Sequence, residues 1–248
     1  MLDQSFSATN FDKIFLRENR KGNFEKNFLK ADYFKKHAEF KKIIEDKTAL
    51  RGVRKLTDAE IEDFKIKLDD INKEKEIIRL NTFKKYADEV LEKKFNFNML
   101  LNPVKGVFTI KKEPSSFYAI KQLQINITKT FKVKQANRHI IIKQLFHLLS
   151  DGFPKIVIRT DIHAFYESIC QEKLVNKIEE NTLLSPSSKL LIKKVFFDYE
   201  QKKDKVLVPP KIGIPRGIGI SAYLSELYMR DFDNKLERWR MLFFMLGM

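Results

Sequence analysis

At 248 residues the chain is long enough for one large domain or two small ones with a substantial core, and a hydrophobic content of 43% with 22 Phe excludes a disordered tail. Its one cysteine, Cys170, excludes an internal disulfide framework and a cysteine-based zinc site, and no run approaches the roughly 18 apolar residues of a membrane span. The net charge of +15 is uneven: residues 1–150 hold 32 Lys+Arg against 20 Asp+Glu, whereas residues 151–248 hold 16 against 13. Such a basic excess calls for a polyanionic partner, because neutralising phosphates takes many Lys and Arg; a soluble, Lys-rich composition is the plainer alternative.

The N-terminus MLDQSFSATNFDKIF lacks the basic-then-apolar order of a signal peptide, so the expected location is the cytoplasm. Residues 11–48 space Phe28, Phe34 and Phe40 in roughly helical fashion. Thr57 and Glu60 form a capping box, followed by Ile61, Phe64, Leu68 and Ile71 at intervals of three and four. That helix either continues or turns back through Ile78, Phe83, Tyr86 and Val90 to about Lys94. NFNMLLNPVKG then interrupts the periodicity with Asn and Pro. Between Tyr118 and Val133 the partial alternation of Leu123, Ile125, Ile127, Phe131 and Val133 favours a strand, with Lys and Gln frequent enough to keep a helix open. Ile141, Ile142, Leu145, Phe146 and Leu149 predict an amphipathic helix ending near Asp151-Gly152, and Ile156, Val157 and Ile158 a buried strand. QEKLVNKIEENTLL reads as a helix, and Ser185-Pro186 opens another through KLLIKKVFFDYE. A short strand at 205–208 leads through Pro209-Pro210 to KIGIPRGIGISAYLSELYMRDFD, in which a Gly-rich loop gives way to a helix from about Ser221. The pattern is α+β with helices dominant.

Asp161 is the awkward residue. It follows the apolar run at 156–158 and precedes the aromatics Phe165 and Tyr166, and a carboxylate taken into a core needs a cation or a metal. By itself it is as readily a core aspartate paired with Arg159 or a cap for the next helix. GIPRGIGIS by itself is an ordinary strand–turn–helix junction whose spacing matches neither a Walker A loop nor a dinucleotide fingerprint.

In this order, some 50 residues apart, the two stretches resemble motifs A and B of reverse transcriptases. RTDIHAFYESI is similar to motif A: an Asp, aromatics four and five residues on, and an Ile closing the turn. GIPRGIGISAYLSELYMRDFD is similar to motif B, with a Pro-x-Gly loop, a Ser four residues past the Gly, and a helix ending in acidic residues. The wording is nearer to bacterial abortive-infection and other defence-associated reverse transcriptases than to retroviral enzymes, and ANRHIIIKQLFHLL resembles the stretch that precedes motif A in them. The resemblance spans residues 117–239. It implies, over 101–248, the fingers and an incomplete palm of a right-hand polymerase; residues 1–100, in which nothing of the family is recognised, read from their spacing as a helical N-terminal extension.

What the resemblance implies for chemistry is specific. Asp161 would be a catalytic carboxylate holding two Mg²⁺ ions, with the backbone carbonyl of Ile162 as a further ligand. Tyr166 would stand at the steric gate that rejects a ribose 2′-hydroxyl, with Phe165 in packing and His163 without a role. Pro215, Arg216 and Gly217 would form the motif B loop, close to template and incoming nucleotide where a side chain at Gly217 would obstruct. Arg216 occupies a position where many polymerases carry Gln. Ser221 would begin the motif B helix, for which an N-cap role is sufficient. Lys121 and Arg138 are the candidates to bind the triphosphate. The implied partners are an RNA template, a DNA or RNA primer, dNTPs, and a non-coding RNA or a second defence protein, with no membrane.

Motif C, the Tyr-x-Asp-Asp hairpin that brings two more metal carboxylates, is not found in this sequence, nor is a thumb. The expectation is an incomplete two-metal site and a chain that does not polymerise alone. Were Arg240–Met248, a stop codon and the bases after it encoded by suitably chosen codons, the frame read from the third base would give N-A-F-L-Y-A-R-Y and then V-D-D across the stop, so the expectation is a frameshift within a longer polymerase. The competing expectation is a non-catalytic, basic RNA- or DNA-binding protein that keeps a polymerase-like fold.

Overall fold

The computed structural model describes residues 3–22, 28–133, 135, 137–150, 152–154, 161–203 and 210–238. The strands expected at 156–158 and 205–208 lie outside these residues. The described residues are mostly helical, with one small antiparallel sheet, and fall into two compact units, Ser5–Phe95 and Met1–Gln4 with Asn96–Met248.

In the Ser5–Phe95 unit, α1 (Ala8–Arg20) starts where the Ser7 hydroxyl accepts the amide of Asn10, satisfying one of the unpaired amides of a helix start. Its buried face carries Phe11, Ile14 and Phe15. Phe15 meets Tyr33 of α2 (Ala31–Val53) edge-on, ring centroids 6.0 Å apart, and Phe83 of α3 (Asp58–Leu91) at 5.8 Å. Of the two sequence alternatives after Thr57, the continuous one holds: α3 is a single helix of 34 residues. Its core contacts begin at Lys75 and run through Thr82, Phe83, Ala87 and Val90, whereas the earlier turns are exposed and laced with pairs such as Lys67–Asp63 at 2.6 Å.

The capping box has both halves: the Thr57 hydroxyl accepts from the Glu60 amide at 3.3 Å, and the Glu60 carboxylate accepts from the Thr57 amide at 2.9 Å. Arg54 also binds Glu60, and these bonds hold the Glu60 carboxyl at about 2, below its ordinary 4.5. Because the folded value is the lower one, the cap's contribution is complete above about 4.5 and lost as pH falls through about 2. The Thr57 amide resonance should therefore hold its capped shift down to about pH 2, and movement near pH 4.5 in an NMR titration would contradict it.

In the second unit, β1 (Met99–Asn102) and β2 (Val107–Ile110) pair antiparallel, Met99 facing Ile110 and Asn102 facing Val107. The interruption read from NPVKG is the turn of this hairpin, in which Asn102 Oδ1 accepts the amides of Val104 and Lys105. The strand favoured over 118–133 is instead a helix, α4 (Pro114–Phe131). The reason lies in the polar residues: Ser116, Ala119, Gln122, Leu123, Asn126 and Ile127 form one buried face at helical spacing, while Ile125 stands outside it. Asn126 is held there by bonds to Ser188 Oγ at 2.9 Å and to the Gln4 carbonyl at 3.0 Å.

The helix expected at Ile141–Leu149 is α5 (Arg138–Leu149), capped by Asn137, but none of its residues is buried; Phe146 is 74% exposed. After the single turn α6 (Phe165–Ser168) comes α7 (Gln171–Glu179), shorter than QEKLVNKIEENTLL predicts. It stops because Asn181 turns its side-chain oxygen onto the amides of Leu183 and Leu184, offering the backbone an alternative to the helix. α8 (Pro186–Lys202) opens at Ser185-Pro186 as expected, and α9 (Ser221–Arg238) at Ser221. Asp198 on α8 accepts the Phe97 amide at 2.8 Å and so ties the chain leading into β1; burial pushes its carboxyl up. Among the described residues no helix is long and apolar enough to cross a membrane.

Candidate functional site

The Tyr166 turn and the Pro215–Ser221 loop meet. Residues 166–171 and 211–214 run alongside each other: Ile214 donates to the Tyr166 carbonyl at 2.8 Å, Gly213 to the Ile169 carbonyl at 2.7 Å, and Gln171 to the Lys211 carbonyl at 3.0 Å, around an antiparallel bridge from Cys170 to Ile212. Tyr166 is half-buried, its ring 5.7 Å from that of Phe165, which is also half-buried. Asp161 departs from expectation: it is exposed, as are Ile162 and His163. It lies in an irregular stretch ahead of Ala164, whose left-handed backbone (φ 47°) leads the chain into α6. Ile162 borders a recess of about 460 Å³ with Lys173, Lys177, Tyr228, Asp231 and Phe232, in which Lys177 pairs with Asp231 at 3.0 Å.

The loop itself is built tightly. Pro215 is buried and Arg216 exposed. The Arg216 carbonyl accepts the Phe108 amide of β2 at 2.6 Å. Gly217, at φ +97°, has the Phe108 carbonyl 2.7 Å from the place a Cβ would take. The missing side chain is thus required by the hairpin's own backbone, whatever approaches from outside. Ser221 is buried, and its hydroxyl donates to the Pro215 carbonyl at 2.5 Å, closing the loop rather than capping the helix that it begins. Gly219 faces Gln124 of α4, one turn beyond Lys121, whose ammonium stands 5.7 Å from the centre of the Phe117 ring. Arg138 is exposed at the start of α5. The structure therefore joins Tyr166, Pro215, Arg216, Gly217 and Ser221 in one junction with Lys121 on the adjoining helix, and leaves Asp161, Ile162 and Arg138 on exposed segments.

The sequence reading missed the residues that make the junction. Tyr199 packs edge-on against Phe108 with ring centroids 5.0 Å apart, and its hydroxyl lies 2.6 Å from where a Gly213 Cβ would be; burial pushes that hydroxyl up to about 12. Gln171, Glu200 and Lys203 bind the loop's backbone. The hairpin alone had a usable signal, an Asn-Pro…Gly turn between two apolar runs.

Charge is concentrated beside this junction: residues 96–150, comprising the hairpin, α4 and α5, contain nine Lys and Arg against one acidic residue, Glu113. A polyanion would meet little repulsion there. For Mg²⁺ the donor set is short. Asp161 is the single carboxylate that the resemblance assigns, one carboxylate does not fit a two-metal centre, and among the described residues no group of three His, Cys, Asp or Glu could hold a metal. No known protein family, curated protein or solved structure matches the chain.

Proposed function

We propose that this chain forms the nucleotide- and template-binding part of an RNA-directed DNA polymerase of the anti-phage, abortive-infection kind, acting in the cytoplasm. The observation that carries the reading is the junction of the Tyr166 turn with the Pro215–Ser221 loop, two segments far apart in sequence joined by three backbone hydrogen bonds. Tyr166 presents part of its ring at that junction, where it can reject a 2′-hydroxyl; Arg216 extends a guanidinium from a loop that two other elements hold still. RNA template and primer would lie along the basic hairpin, α4 and α5. Mg²⁺-dependent transfer of dNTPs needs carboxylates in addition to Asp161.

If the coding DNA past residue 240 holds a frame for Tyr-Val-Asp-Asp, the chain extended through it should incorporate dNTPs on an RNA template with Mg²⁺, and Asp161→Ala should abolish incorporation without lowering the thermal midpoint; if no such frame exists, the frameshift expectation fails. The exposed position of Asp161 favours a second reading, a non-catalytic RNA- or DNA-binding protein. Both readings require RNA affinity that falls steeply with salt, by about tenfold or more between roughly 50 and 200 mM. Salt-sensitive binding without incorporation selects the second; salt-insensitive binding, or none, removes both.

A further inference from the structure

Residues 211–214 lead into the Pro215–Ser221 loop, and their backbone groups are held by other elements. The Lys211 carbonyl accepts from the Gln171 amide, Gly213 donates to the Ile169 carbonyl, and Ile214 donates to the Tyr166 carbonyl. Two carbonyls take side-chain donors instead: Ile212 accepts from Lys203 Nζ at 2.9 Å, and Gly213 from Gln171 Nε2 at 2.7 Å. Both donors converge on one carboxylate. Glu200 accepts from Gln171 Nε2 at 2.7 Å and Lys203 Nζ at 2.5 Å, and from the Lys211 backbone as well. The Lys203 side chain is only 2% exposed. Burial alone would raise the Glu200 carboxyl; the bonds from Lys203, Gln171 and Lys211 outweigh it and hold it below its ordinary value, so it is ionised at neutral pH.

A buried ion pair is a poor way to add stability, since well-packed apolar side chains often do as well. Apolar replacements would, however, leave the Ile212 and Gly213 carbonyls without these donors. The cluster ties Gln171 and Lys203 to one another through Glu200, and each of them to a carbonyl of residues 212–213.

We propose that Glu200 is a positioning residue that, through Gln171 and Lys203, sets the 211–217 loop against the Tyr166 turn and so places Arg216 and Tyr166 around a bound deoxynucleoside triphosphate. The role rests on the nucleotide-binding reading above; the clamp itself does not.

The test uses the whole chain, comparing wild type with Glu200→Gln by amide hydrogen exchange and by dTTP titration in Mg²⁺. Exchange at Gly213 and Ile214 should quicken about tenfold or more, while Leu123 and Ile127 of α4 keep their protection. The dissociation constant for dTTP should rise by a comparable factor, with Glu200→Asp in between. Exchange within about twofold of wild type at Gly213 and Ile214 would overturn the clamp. Faster exchange with unchanged dTTP affinity would overturn the positioning role. A wild-type chain that does not bind dTTP overturns the nucleotide reading and that role with it, and exchange still decides the clamp. Should Glu200→Gln fail to fold, Gln171→Leu serves the same comparison, because it frees the Gly213 carbonyl and leaves the Lys203–Glu200 pair intact.

Discussion

Replacing Gly217 by alanine is expected to lower the stability of the Asn96–Met248 unit by about 3 kcal/mol and to release the β1–β2 hairpin from the loop. Two effects add. At φ +97° an L-residue is strained, and the new methyl would stand 2.7 Å from the Phe108 carbonyl oxygen and 3.2 Å from Val107 Cβ. The carbonyl is backbone within a paired strand, so it cannot swing aside as a flexible side chain would. Relief must come from moving the hairpin, which breaks the bond from the Phe108 amide to the Arg216 carbonyl. Gly106 is the control: it too has positive φ, +59°, but nothing lies within 4 Å of its missing Cβ, so Gly106→Ala should cost only about 1 kcal/mol. Chemical denaturation measures both. Equal losses at the two positions would show that hairpin and loop are not locked together.

Asp12→Ala should destabilise the helical Ser5–Phe95 unit by about 3–5 kcal/mol. Asp12 on α1 takes two bonds from Arg79 on α3, Nε at 2.6 Å and Nη2 at 3.3 Å, and both side chains are 12% exposed. Arg79 also lies 5.6 Å from the centre of the Phe15 ring. Burial alone would lower the guanidinium's pKa; the Asp12 bonds outweigh it and raise it, so the charge persists at any working pH. Without Asp12 that charge loses its carboxylate and keeps only the Tyr33 side chain and the field of Glu76 to offset its burial. Asp12→Ala combined with Arg79→Met should recover most of the loss, because the apolar chain fills the site without a charge to desolvate. A double variant as unstable as the single one would mean that the helices depend on the shape of the pair and not on its charge. Amide exchange confined to α1–α3 reads the effect apart from the second unit.

How far the sequence reached depended on the range of each interaction. Thr57 with Glu60 and Ser185 with Pro186 were legible because caps and their partners lie within a few positions of each other, and the start of α9 at Ser221 because a Gly-rich loop gives way there to helical spacing. The pairing of the Tyr166 turn with the Pro215–Ser221 loop was foreshadowed only through the family resemblance, since no local signal in either stretch names the other.

By itself the sequence determined where α3, α7, α8 and α9 begin, that the chain is basic, and that its charge is heaviest ahead of residue 151. Tertiary structure alone decided the rest. The helix at 118–131 buries Gln122 and Asn126, which are polar; Gln122 donates to Asn126 Oδ1 at 2.8 Å within the helix, and the distant Ser188 and Gln4 take the Asn126 amide protons. Asp161, expected to need a compensating charge, came out exposed, three residues ahead of the left-handed Ala164. Gly217 must be glycine because of Phe108, and Glu200 matters because of Gln171, Lys203 and Lys211. Each of those constraints comes from steric contact or hydrogen bonding that exists only once separate segments have been brought within a few ångströms.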